Sequence, residues 1–317
     1  MSLVIALITL LVLFVAALGE GLGNGNREYI SKLDGDLIIF QAQADTLIAA
    51  SRLSTDRVEE VRAIEGVADA GMIATASATL ILEGDAEELK VAMLGVEPGH
   101  VGEPEVVEGS QLSALDAEEI IIDKNTAIRT NLKAGAELTI RVTQGTEDTF
   151  FNLKITGIAE GQQYSLQPSI FVPFLTWDRV RPQSEAELNF ADATTNIIAV
   201  KLVNPEAVDA VRQDIEENIE NVQAVTLKET IQALPGYSAQ QSTINTQGGF
   251  TLFIGILVIG GFFQIQILQK VPQIGVLKAI GASNAVVGFA AVVQIIMVTT
   301  LGVAIGGALT LLLSFGF

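Results

Sequence analysis

Four pairs of neighbouring glutamates, Glu59–Glu60, Glu87–Glu88, Glu118–Glu119 and Glu216–Glu217, are the first candidates for acid–base chemistry in this chain. Such chemistry needs two carboxyl groups converging on one cleft, whereas adjacent side chains on a helix or strand point apart, so these pairs read as solvated surface. His100 is the sole histidine and lies in the turn Pro98-Gly99-His100, which reads as an exposed loop. One histidine and no cysteine exclude a multi-histidine or thiolate metal site, a disulfide and a cysteine nucleophile. Gly19, Gly21, Gly23 and Gly25 are spaced like a dinucleotide-binding loop, but they come after an apolar run instead of a strand, so a flexible juncture is expected there. No Gly-Lys dipeptide occurs, hence no Walker A phosphate loop. The chain reads as a non-enzyme with no cofactor and no metal.

The most directed pattern is Gln269–Ser283, QKVPQIGVLKAIGAS. Pro272 can open a helix, Ile274, Leu277 and Ile280 recur every third residue along one side, and Gly281 can end it. Gln273, Gly275 and Lys278 fill the positions between, and Ser283 can cap the next helix. A helix of about nine residues is unstable alone in water. Its apolar side therefore needs a surface, either lipid headgroups or a partner protein.

Apolar runs flank that segment. The chain has 317 residues, 18 Lys and Arg against 37 Asp and Glu, and a formal net charge of -19, with a mean hydropathy of +0.45. The acidic surplus excludes a nucleic-acid binder. All 37 acids lie between Glu20 and Glu229, so an acidic domain hangs between apolar ends. Leu3–Leu18 is uncharged and slightly shorter than the roughly 20 residues that cross a bilayer. No basic residue precedes it and Ala16-Ala17-Leu18-Gly19 is a poor cleavage site, so an anchor is expected over a cleaved signal. Phe250–Leu268 is a second span, and Ala285–Phe317 a third that must tilt, protrude or bend. Within it Gly302 and Gly306 form a small-xxx-small pair that lets helices approach closely. After Lys228 and Glu229 the only charges are Lys270 and Lys278, between the last two spans, and the positive-inside rule puts them in the cytoplasm with the acidic domain outside. The expected division is a transmembrane helix over 1–18, an extracytoplasmic domain over 19–248, a second helix over 249–268, a cytoplasmic segment over 269–284 and a third helix over 285–317.

Within the acidic domain, Leu37–Gln41 reads as a strand, succeeded by a helix capped by Ser54, with Val58, Val61 and Ile64 on one face and Gly66 at its end. Gly71–Leu82 returns as a strand. The pattern recurs with a strand at Ile197–Val203, Asn204 and Pro205 as cap and first turn, a helix face of Val208, Val211, Ile215 and Ile219, and a strand at Val222–Leu227. Two such halves can build one split βαβ lobe from the two ends of the domain. Between them, short strands at Glu119–Ile122, Leu138–Val142, Phe151–Ile158 and Ile170–Phe174, with a short helix at Asn125–Asn131, read as an inserted β-rich lobe over roughly 100–180. The fold class is thus a membrane protein with α-helical spans and a two-lobed α+β extracytoplasmic domain.

The string IGVLKAIGAS, placed after one span and before another, resembles the cytoplasmic coupling segment of the MacB/FtsX family of ABC-transporter permeases. Further echoes are Ala17-Leu18-Gly19-Glu20-Gly21-Leu22, Ile120-Ile121-Ile122-Asp123 leading to Leu132-Lys133-Ala134-Gly135, Ile155-Thr156-Gly157-Ile158 and Ile170-Phe171-Val172-Pro173. Gln273 stands where many members carry glutamate and Pro272 where basic or polar residues are common, which leaves the choice of ATPase partner open. The family has four spans against three here, so the last is expected to be absent, with the basic amphipathic helix often found before the first. The resemblance implies an inner-membrane, multi-pass permease subunit driven by a separate cytoplasmic ABC ATPase through Pro272, Gln273, Ile274, Gly275, Leu277, Lys278, Ile280 and Gly281. It further implies a homo- or heterodimer of permeases, a periplasmic adaptor, contact with membrane lipid, and a lipoprotein, peptide or amphiphile as cargo. The alternative is a non-transporting signal transmitter of FtsX type that activates a cell-wall hydrolase. An anchored extracytoplasmic enzyme is disfavoured by the missing catalytic site.

Overall fold

Leu37, Ile38, Ile39 and Phe40 are consecutive apolar residues, and all four are fully buried. A continuous apolar run of this kind fits a strand covered on both faces, and β1 (Leu37–Gln41) lies between β11 (Ile197–Leu202) and β12 (Val222–Thr226), antiparallel to both. The computed structural model describes residues 2–82, 88–183 and 193–314; Glu87 of the pair Glu87–Glu88 and the last three residues of the third apolar run lie outside the described residues.

The pairing Leu37↔Val200 and Ile38↔Ala199 joins the two ends of the domain directly. On the far side of β11 runs β3 (Val67–Ile81), with Ile198 opposite Met72. The order β12-β1-β11-β3, with α2 (Arg57–Arg62) between β1 and β3 and α5 (Val208–Asn218) between β11 and β12, is a split βαβ arrangement. Val58, Val61, Val211 and Ile215 from the two helices share one core with Leu37 and Ile39. Gly66 has φ +92°, and a Cβ there would come within 2.8 Å of Val211 Cγ2, so glycine is needed for both conformation and space. Asn204 accepts from the Glu206 amide ahead of Pro205, as an N-cap should. The expected cap by Ser54 is corrected: Ser54 belongs to β2 (Leu53–Ser54), which pairs with β10 (Thr194–Thr195), and Asp56 takes the N-cap position without a side-chain cap bond.

β3 has 15 residues and serves two structures. From Ile73 onward it pairs with β4 (Glu88–Val96), which pairs with β9 (Ser169–Pro173), then β6 (Glu119–Asp123), β8 (Glu147–Ala159) and β7 (Glu137–Gln144). β7 returns to β3 through Leu80↔Ile140, so these six strands close into a ring. Leu80, Met93, Ile122, Ile140 and Ile155 fill it and are fully buried. β5 (Val106–Gly109) adds to the end of β8. Two short helices, α3 (Lys124–Thr130) and α4 (Phe174–Val180), come after β6 and β9, and α6 (Leu227–Ala233) after β12. The other face of the sheet is covered by Tyr29 and Ile30 of α1 (Ser2–Ser31).

α1 runs unbroken through Gly19–Gly25, which corrects the expected flexible juncture. Glycine here admits neighbours. A Cβ at Gly19 would meet Ile244 at 3.3 Å, and one at Gly25 would meet Leu166 at 2.9 Å. The remaining elements are two long helices, α7 (Tyr237–Ala279) of 43 residues and α8 (Asn284–Ser314) of 31. The chain divides into two compact units, Gly23–Tyr237 and Met1–Leu22 with Ser238–Phe317. Both α7 and α8 are long and apolar enough to cross a membrane.

Candidate functional site

The expected short helix opening at Pro272 is not separate: α7 continues through Pro272 to Ala279. Proline removes one backbone bond, the one that would reach the Leu268 carbonyl, and helices packed against neighbours tolerate that loss. The neighbour is α8, whose Gln294 accepts a hydrogen bond from Lys270 Nζ. Phe250–Leu268 extends about 28 Å, enough to fill the hydrocarbon core, so Gln269–Ala279 adds about 16 Å of helix beyond it.

The end of α7 is a tightly specified turn. Gly281 has φ +94°, its amide donates to the Lys278 carbonyl at 3.0 Å, and the Ala282 amide donates to the Leu277 carbonyl at 3.0 Å. These two bonds form a Schellman motif, which satisfies carbonyls that the helix end leaves free. Ser283 Oγ then accepts from the Val286 amide at 3.3 Å and opens α8. The expected stop at Gly281 and cap at Ser283 are therefore where the hairpin turns. Lys278 lies in the last turn of α7, where a cation meets the negative end of the helix dipole.

The three residues expected to form one apolar side are divided by the hairpin. Ile274 and Leu277 line a cleft against Val287 of α8, together with Gln273 and Lys270. Ile280 is 77% exposed, as is Val276 at 65%, while Leu277 keeps 45% exposure at the cleft mouth. A Cβ at Gly275 would meet nothing within 4 Å, so that glycine leaves an open patch beside them. Val276 is a contact candidate that the three-residue spacing misses. Lys270 and Gln294 were also beyond sequence reasoning as a pair, since 24 residues and a turn separate them.

Gly302 and Gly306 of α8 face α1. A Cβ at Gly302 would come within 2.6 Å of Ile5 Cβ, and one at Gly306 within 2.6 Å of the Ala6 carbonyl oxygen. Gln240 Nε2 of α7 reaches the Gly19 carbonyl, so α1 is gripped near its other end as well.

The described members of the four adjacent glutamate pairs each have a partner within the fold. Glu59 and Glu60 pair with Arg62 and Arg57, Glu118 pairs with Arg179, Glu119 accepts from the Ser113 amide, Glu216 accepts from the Ala224 amide, and Glu217 accepts from Gln213. Glu88 is bound by Arg141. His100 is more engaged than its turn context suggests: Nδ1 is 2.7 Å from Asp69 and Nε2 is 3.7 Å from Glu97, which also holds Arg62. Among the described residues no cluster of His, Asp or Glu could hold a metal ion. Burial, with Tyr164 adding to it, pushes the Tyr29 phenol well above the usual tyrosine range, and its hydroxyl has no hydrogen-bond partner among the described residues. That tyrosine serves packing, edge-on to Tyr164 and tilted against Phe171.

Two family models match the chain. Residues 1–218 match the MacB-like periplasmic core domain, and residues 246–317 match the FtsX-like permease C-terminal model. Two relatives bear the name hemin transport system permease protein HrtB. That of Staphylococcus haemolyticus is 25% identical over 98% of this chain and 80% of its own, and that of Staphylococcus epidermidis is 24% identical over the same shares. Among solved structures, the extracellular domain of the noncanonic ABC-type transporter YknZ from Gram-positive bacteria has a TM-score of 0.41 and 13% identity, covering 60% of this chain and 98% of that one. The periplasmic region of MacB from Actinobacillus actinomycetemcomitans has a TM-score of 0.44 and 12% identity, covering 65% and 95%.

Proposed function

The chain belongs to the MacB/FtsX family of ABC-transporter permeases, and on that premise we propose that the tip of the α7–α8 hairpin receives the motion of a separate cytoplasmic ATPase and passes it to the extracytoplasmic domain. The observation that carries this reading is the exposure of Val276, Leu277 and Ile280 on a helix end fixed by the Gly281 turn. Apolar side chains so placed, about 16 Å past the apolar run, need a protein surface to cover them. Pro272, Gln273, Ile274, Gly275, Lys278 and Gly281 build that tip. The permease is a multi-pass inner-membrane subunit, works as a homo- or heterodimer with a periplasmic adaptor, and moves a lipoprotein, a peptide or an amphiphile. Hemin, named in the staphylococcal relatives, is an amphiphile suited to a first export assay.

The test is Leu277→Asp in the full chain. A carboxylate in an apolar contact costs more than the roughly 2 to 7 kcal/mol of a neutral polar group, enough to release a partner bound at micromolar affinity. Copurification of the ATPase and stimulation of its activity should both be lost, while the acidic domain keeps its fold by circular dichroism. Intact copurification and stimulation would remove the coupling role.

A further inference from the structure

We propose that the cleft between α7 and α8 is a binding site for an anionic phospholipid of the cytoplasmic leaflet, its phosphate held by Lys270. The inference rests on the membrane setting and not on ATPase docking, so the two can fail separately. Helix length places Lys270 at headgroup level. Phe250–Leu268 of α7 fills about 28 Å of hydrocarbon and Lys270 comes two residues later.

The chemistry of the cleft narrows its occupant. Its volume is about 180 Å³. Lys270 is the only charged residue in its lining, and no Asp or Glu comes after Glu229 in the sequence, so that segment has no acidic side chain to neutralise the ammonium. Gln294 is a neutral acceptor and uses one of the three ammonium protons. Gln266 and Gln273 bring further amide donors to the same cleft, while Phe263, Ile267 and Ile295 give it apolar walls. A cation with amide donors beside apolar walls fits an anionic headgroup with an acyl chain attached, and basic pockets between transmembrane helices on the cytoplasmic side bind such headgroups. A zwitterionic lipid brings its own cation and gains less. Free phosphate gains nothing from the apolar walls.

Native mass spectrometry of the full chain in detergent, offered phosphatidylglycerol and phosphatidylcholine in equal amounts, tests this. The wild type should retain phosphatidylglycerol preferentially, and Lys270→Gln should lower that preference about fivefold, the effect of one near-surface cationic contact. Lys270→Arg should keep it, as should Lys278→Gln, whose lysine is outside the cleft. Excess inorganic phosphate should not displace the lipid. Equal retention of the two lipids by the wild type, an unchanged preference in Lys270→Gln, or displacement by phosphate would each overturn the proposal. A photoactivatable phosphatidylglycerol gives a second reading on the unaltered protein. Adducts should fall on peptides within 263–295, and labelling confined to other segments would contradict the site.

Discussion

A side chain at Gly306 would have to enter space held by the Ala6 carbonyl oxygen and Thr9 Cβ, 2.6 and 2.7 Å from its Cβ position. Gly307, one residue on, has nothing within 4 Å. Gly306→Leu should therefore destabilise the solubilised full chain by about 1–3 kcal/mol through overpacking, whereas Gly307→Leu should leave thermal unfolding nearly unchanged. Equal effects would mean that the α1–α8 approach is not set by the small residue. The spacing of Gly302 and Gly306 was legible as a licence for close packing, but a repeat on one helix does not say which helix approaches. His100 shows the same limit. Its turn is visible in Pro98-Gly99-His100, yet Asp69, its 2.7 Å partner, lies 31 residues earlier and is brought near only by the fold.

α6 begins with a reciprocal cap, Thr226 Oγ1 accepting from the Glu229 amide and Glu229 accepting from the Thr226 amide. Thr226→Ala should cost about 1 kcal/mol, measured by denaturant unfolding of the extracytoplasmic domain in the full chain. The Thr226 backbone bond, opposed in part by burial and helped by the Thr226 hydroxyl and Arg212, holds the Glu229 carboxyl below the usual glutamate range. A depressed folded value means that this contribution is present above the unfolded value of about 4.3 and is lost as pH falls through the folded one. The stability difference between wild type and Glu229→Gln should therefore shrink under acid, and a difference that grows would contradict the assignment. At this level most strands and helices were legible, because alternation and capping residues act locally. Pro272 and the glycines of α1 were misread for one physical reason. Each disfavours helix in isolation, and each is overridden by neighbours: α8 beside Lys270, Ile244 beside Gly19, Leu166 beside Gly25.

The segregation of charge made the division into an acidic unit and an apolar one visible at once, since 37 acids confined between Glu20 and Glu229 cannot sit in lipid. The joining of the two lobes through β3 was not visible, because a 15-residue strand gives no local sign of where its partner changes from β11 to β4. The same limit hid the continuity of α7, whose apolar run ends at Leu268 although the helix does not. The helix is unbroken there and leads to the hairpin tip where Val276, Leu277 and Ile280 are exposed; in the proposed coupling role a cytoplasmic ATPase covers them. A photocrosslinking amino acid at Ile280, 77% exposed and free of packing duties, tests this most directly in the full chain coexpressed with its ATPase. The expected result is an adduct with the ATPase subunit from position 280 and none from Ser110 of the acidic domain; adducts from position 280 with lipid alone would contradict the coupling role.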